Sequence, residues 1–76
     1  MPRLSESKVG QKVKVLSLEG SPSVKQRLKE MGLTPGVELQ VVRVAPLADP
    51  IDVVVRGYHL SIRKKEAELI KVEVLS

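Results

Sequence analysis

Two segments of this chain alternate apolar and polar residues and then slip by one position. In KVKVLSL, residues 12–18, Val13 and Val15 share one phase while Leu16 and Leu18 share the other. In VELQVVRV, residues 37–44, Val37, Leu39 and Val41 share a phase that Val42 and Val44 then leave. Successive side chains of a strand point to opposite faces, so such a slip calls for a bulge or sharp coil that absorbs one residue. Bulged strands bend, and bent strands close small barrels.

The apolar 42% of the chain is almost all Val, Leu and Ile, with Tyr58 the sole aromatic residue. A core of β-branched and aliphatic side chains suits strands. Seventy-six residues make one domain, 1–76, with a core too small for a deep enclosed active site. Without cysteine there is neither a disulfide framework nor a thiolate metal site, and a reducing compartment fits. The N-terminus MPRLSESKVG lacks a signal-peptide apolar run, and no stretch is long and apolar enough to span a bilayer. A soluble, cytoplasmic protein without membrane insertion is expected.

Between the two slipped segments the period changes. In SPSVKQRLKEMG, Val24, Leu28 and Met31 fall at i, i+4 and i+7, with Lys25, Gln26, Lys29 and Glu30 on the other side, which predicts a short amphipathic helix. Ser21 or Ser23 is the expected N-cap, and Pro22 suits the first turn, where its missing N–H has no partner to lose. At the far end, a left-handed Gly32 would let Leu33 fold back on Leu28 in a Schellman ending. Thr34-Pro35-Gly36-Val37 then reads as a type II turn.

Downstream, APLADP is a loop whose Asp49-Pro50 enters the next strand extended. IDVVVR alternates Ile51, Val53 and Val55 inward, and Gly57-Tyr58 separates it from HLSIR by a tight hairpin, with Leu60 and Ile62 inward. KKEAEL is long enough for one helical turn with Ala67 facing the core, and IKVEV closes the chain with Ile70, Val72 and Val74 in phase. The fold class is therefore mainly β: a partly open five-stranded barrel, one short helix after the first strand and a helical turn before the last.

Chemistry-bearing constellations are sparse. His59 is the only histidine, so a transition-metal site would need it together with carboxylates such as Asp49, Asp52 or Glu38, and a lone solvent-facing histidine falls short of three or four ligands. Ser17, Ser21, Ser23 and Ser61 have no histidine at motif spacing, and Glu66 and Glu68 read as helix-surface charges; no enzyme and no cofactor is expected. The glycines are dispersed at turns and form no phosphate loop. A net charge of +4 with interspersed acids and a single aromatic describes a mixed-charge surface rather than a nucleic-acid platform. Met31, Leu33 and Pro35 cannot all lie deep in so small a core, and they form the candidate apolar contact patch.

The chain resembles the FeoA family of ferrous iron uptake. The match runs through Gly10, then RLKEMGLTPGVELQVV from Arg27 to Val42, then ADPIDVVVRGYHLSIRKKEAELIKV from Ala48 to Val72. Its most specific part is the helix ending in Arg-Leu followed by Met-Gly-Leu-x-Pro-Gly; Asp49-Pro50 and the spaced Arg63, Ala67 and Ile70 add to it. Ala48 stands where the family often has glycine. A similar pattern forms the C-terminal domain of metal-dependent repressors related to the diphtheria toxin repressor, but with a chain starting at Met1 and no helix-turn-helix the stand-alone transport protein is expected.

The resemblance implies a small SH3-like barrel acting by protein contact on FeoB, a membrane ferrous transporter with a GTPase domain. A GTPase partner brings in arginines that could be supplied in trans to a transferred phosphoryl group: Arg27, Arg43, Arg56 and Arg63, of which Arg27 and Arg63 join the contact candidates. Homo-oligomerisation stays open. The rival functions are a metal-responsive regulatory adaptor and a nucleic-acid-binding small barrel.

Overall fold

The computed structural model describes residues 2–76. Strands β1 (Lys12–Leu18), β2 (Glu38–Val44), β3 (Ile51–Val55), β4 (Tyr58–Ile62) and β5 (Ile70–Val74) form one antiparallel sheet in the order β4-β3-β2-β1-β5. Helix α1 (Pro22–Glu30) follows β1, and a single turn, α2 (Lys64–Ala67), precedes β5. From β1 onward the strands and α-helices follow the order that the periodicities predict. The sheet remains open, with β4 and β5 as its two edges.

Both slips in phase are register shifts. The β1–β5 ladder shifts between Val15 and Ser17, and the β2–β3 ladder between Val41 and Arg43, making Leu16 and Val42 the extra residues. The bends wrap the sheet around one core in which Val13, Val15, Val41, Val53, Val55 and Val72 are fully buried. β1 pairs with β2 only from Lys12 to Lys14. Just past that ladder the chain leading into β2 still bonds β1, the Val15 N–H donating to the Val37 carbonyl at 2.9 Å and the Gly36 N–H to the Val15 carbonyl at 2.7 Å.

Ser21 caps α1, its Oγ accepting the Val24 N–H at 3.3 Å, with Pro22 in the first turn. Leu28 is the helix's fully buried anchor, flanked by partly buried Val24 and Met31. The helix exit is a Schellman motif: Gly32 has φ +96°, its N–H donates to the Lys29 carbonyl at 2.9 Å, and the Leu33 N–H donates to the Leu28 carbonyl at 3.0 Å. Gly36 at φ +93° and the Val37 N–H to Thr34 carbonyl bond of 3.1 Å match the type II turn.

Three expectations change. The β3–β4 loop is Arg56-Gly57, not Gly57-Tyr58: Val55 pairs with Tyr58, and both loop residues have positive φ, +50° and +85°, as in a type I′ hairpin turn. Val74 is 44% exposed although in phase with Val72 and paired with the buried Val13, on a strand that forms an edge of the sheet. The third change is at the N-terminus, where no element was expected. A short 3₁₀ turn (Leu4–Glu6) buries Leu4 completely, Arg3 bridges to Lys71 on β5, and the Val72 N–H donates to the Pro2 carbonyl at 3.0 Å. This strap covers part of the β5 edge, one way a sheet avoids edge-to-edge pairing.

The β2–β3 loop holds Leu47 and Ala48 at φ +66° and +60° and a cis Asp49–Pro50 peptide. Asp49 itself is extended.

Candidate protein-contact site

Three turns meet at one end of the barrel: the helix exit at Met31–Gly32, the Thr34–Val37 turn and the Arg56-Gly57 hairpin tip. Register explains the meeting. Leu39 pairs with Val55, so the chain entering β2 lies beside the chain leaving β3. Tyr58, first residue of β4, then reaches across and donates from Oη to the Met31 carbonyl at 2.9 Å. That carbonyl is among those left free at a helix C-terminus, so the tyrosine ties the hairpin to the helix.

Gly32 is required here twice over. Its φ lies in the left-handed region, and a Cβ at this position would collide with Tyr58 Oη. Sequence reasoning finds the first reason and misses the second. The available signal was that the chain's one aromatic residue directly follows a tight turn.

The contact candidates separate on this frame. Met31 is half-buried and Pro35 exposed, so both present surface. Leu33 is fully buried and does not belong to an exposed patch. The Schellman geometry folds the residue after Gly32 inward, so Leu33 supports the surface from beneath.

Arg27 and Arg63 meet in a different arrangement. Arg27 Nη2 lies 3.0 Å from Glu66 Oε2, and Glu66 Oε1 accepts the Arg63 N–H at 3.2 Å. Asp49 Oδ1 lies 3.6 Å from Arg63 Nη1 and accepts the Lys64 N–H at 3.2 Å. These groups fasten α2 to α1 and to the β2–β3 loop. Arg43 faces Asp52 at 3.9 Å, and Arg3 is paired with Glu19. Among the described residues, Arg56 is the one arginine without a carboxylate partner.

His59 and the proposed carboxylates do not converge. His59 pairs with Val54, Asp52 accepts from Ser61 Oγ at 2.6 Å, Asp49 serves the start of α2, and Glu38 stands opposite Lys14. Among the described residues, no three His, Cys, Asp or Glu side chains gather as a metal site would need.

Electrostatic perturbation lies elsewhere, beside the strap. Hydrogen bonds from Arg3 and then Lys71 hold the Glu19 carboxyl below the usual carboxylate range.

Residues 3–74 match the FeoA domain family model. The chain belongs to the FeoA family. A Porphyromonas gingivalis Fe(2+) transport protein A/Fe(2+) transporter FeoB fusion protein is 36% identical over 74 residues, 97% of this chain and 9% of the relative's length. Among solved structures, the FeoA protein from Chlorobium tepidum is 44% identical with a TM-score of 0.87, covering 99% of this chain and 71% of that one. The Stenotrophomonas maltophilia FeoA complexed with zinc is 26% identical with a TM-score of 0.81, covering 96% and 91%, and is described as a prokaryotic SH3 domain protein. The five bent strands are thus the small SH3-like fold of a family of ferrous iron transport. No helix among the described residues is long and apolar enough to cross a membrane.

Proposed function

We propose that this chain is a non-catalytic accessory protein of ferrous iron uptake, working in the cytoplasm by direct contact with a FeoB-like transporter that has a GTPase domain. The observation that carries this reading is the Porphyromonas fusion protein, in which a segment 36% identical to nearly all of this chain shares a polypeptide with a FeoB transporter. Covalent linkage holds two modules at high effective concentration, which helps partners that must meet.

The barrel-end surface suits such contact. It combines an adaptable Met31, a rigid Pro35 and a Tyr58 that is 42% exposed and fixed by its hydroxyl. The metal-responsive reading draws on the zinc complex of the Stenotrophomonas relative, but here it has only His59 to build on.

The test is a binding titration of this protein against the full-length transporter of the same organism held in nanodiscs, with and without GTP. Saturable binding absent from empty nanodiscs is expected. Binding of zinc or ferrous ion that is abolished by His59→Ala, with no transporter binding, would overturn this reading in favour of the metal-responsive one.

A further inference from the structure

We propose that Arg56 is the charged anchor of the barrel-end surface and that it receives a carboxylate from the partner protein. This rests on the contact reading above and adds the chemistry of recognition.

The first observation is conformational. A two-residue type I′ turn requires positive φ at both central positions, which suits Gly, Asn or Asp. Gly57 meets that requirement without strain, whereas Arg56 holds φ +50° with a long side chain attached. Non-glycine residues held in the left-handed region concentrate at functional sites, where the side chain is needed despite its backbone.

The second observation is electrostatic. Arg3, Arg27, Arg43 and Arg63 each face a carboxylate of this chain, and Arg56 alone among the described residues does not. Glu38, the acid nearest in register, stands opposite Lys14 on β1. The Arg56 guanidinium is therefore an exposed five-donor fork with nothing of its own chain to bind.

The third is its company. Two residues on, Tyr58 is partly exposed and fixed by its bond to Met31, and Met31 offers apolar surface beside it. A desolvated arginine flanked by an aromatic is the usual make-up of an interface anchor. A planar fork matches a carboxylate bidentately. Phosphate fits less well, because α1 turns its C-terminal, partially negative end toward this site, which disfavours a doubly charged anion.

The decisive experiment compares wild type, Arg56→Gly and Arg56→Lys in binding to nanodisc-held full-length transporter, with empty anionic nanodiscs as the lipid arm and thermal melting as the fold control. Arg56→Gly removes the guanidinium and relieves the turn. It should bind at least about tenfold more weakly while melting at or above the wild-type temperature. Arg56→Lys, charged but without the fork, should fall between the two. Equal binding by Arg56→Gly would overturn the inference, as would weaker binding accompanied by a lower melting temperature, which would assign Arg56 a structural role. Comparable binding of wild type to empty nanodiscs would assign the site to lipid phosphate and overturn it too. If wild type bound neither preparation, the contact reading itself would fail.

Discussion

The corner joining α1 to β2 and the two loops flanking β3 solve the same backbone problem with opposite residue choices. At the corner, left-handed φ falls on Gly32 and Gly36; around β3 it falls also on Leu47, Ala48 and Arg56. Where glycine occupies the position, local geometry and residue choice agree, and the corner is a rigid platform. Where a side chain occupies it, the chain accepts strain and presents something outward: Leu47 is 93% exposed, and Arg56 stands at a hairpin tip. The first region makes the shape, and the second displays groups on it.

Substitutions can break this contrast, beginning with Gly32. Gly32→Ala combines left-handed strain with displacement of Tyr58 Oη from its bond to the Met31 carbonyl and should destabilise by about 2–3 kcal/mol in chemical denaturation. Gly36→Ala meets no atom within 4 Å, so only the φ +93° strain remains, about 1–2 kcal/mol. Equal losses at the two glycines would mean that Tyr58 does not press on Gly32. Tyr58→Phe keeps the ring and drops the bond to the Met31 carbonyl, a loss of about 1 kcal/mol.

Ala48→Gly should run the other way. Relief of a φ of +60° outweighs the extra entropy of an unfolded glycine, and the variant should be more stable by roughly 0.5–1 kcal/mol. A destabilised Ala48→Gly would show that the loop is not held in the left-handed region.

The smallest effect concerns the strap. Glu19 has its folded pKa depressed by Arg3 and Lys71, so its contribution to stability is present above the unfolded carboxylate pKa and is lost as pH falls through the folded one. The melting-temperature gap between wild type and Glu19→Gln should therefore be open at neutral pH and close in acid. A gap independent of pH would contradict the ion-pair role.

Much of this was legible in the sequence because apolar phase and turn chemistry are local. The slips at Leu16 and Val42, a serine cap narrowed to Ser21 or Ser23, the Schellman glycine and the type II turn all follow from neighbouring residues. What was not legible depends on distant ones. Leu4 sits in LSES, too short for any period to show, and only the distant β5 and α2 give its strap a seat. Leu33 carried two readings in the sequence, folding back on Leu28 and joining the apolar patch, and its complete burial agrees with the first. Arg27 and Arg63 looked available because Glu66 and Asp49, which engage them, lie 39 and 14 residues away in the sequence. The same pairing, once seen, singles out Arg56.

The most direct test of the central claim is amide line broadening in this 8.4 kDa chain on titration with substoichiometric nanodisc-held transporter. The account predicts broadening first at Met31, Gly32, Gly36 and Arg56 to Tyr58, with Leu4 to Glu6 and Lys71 least affected. Broadening led by the N-terminal strap and β5, with the barrel end unchanged, would contradict it.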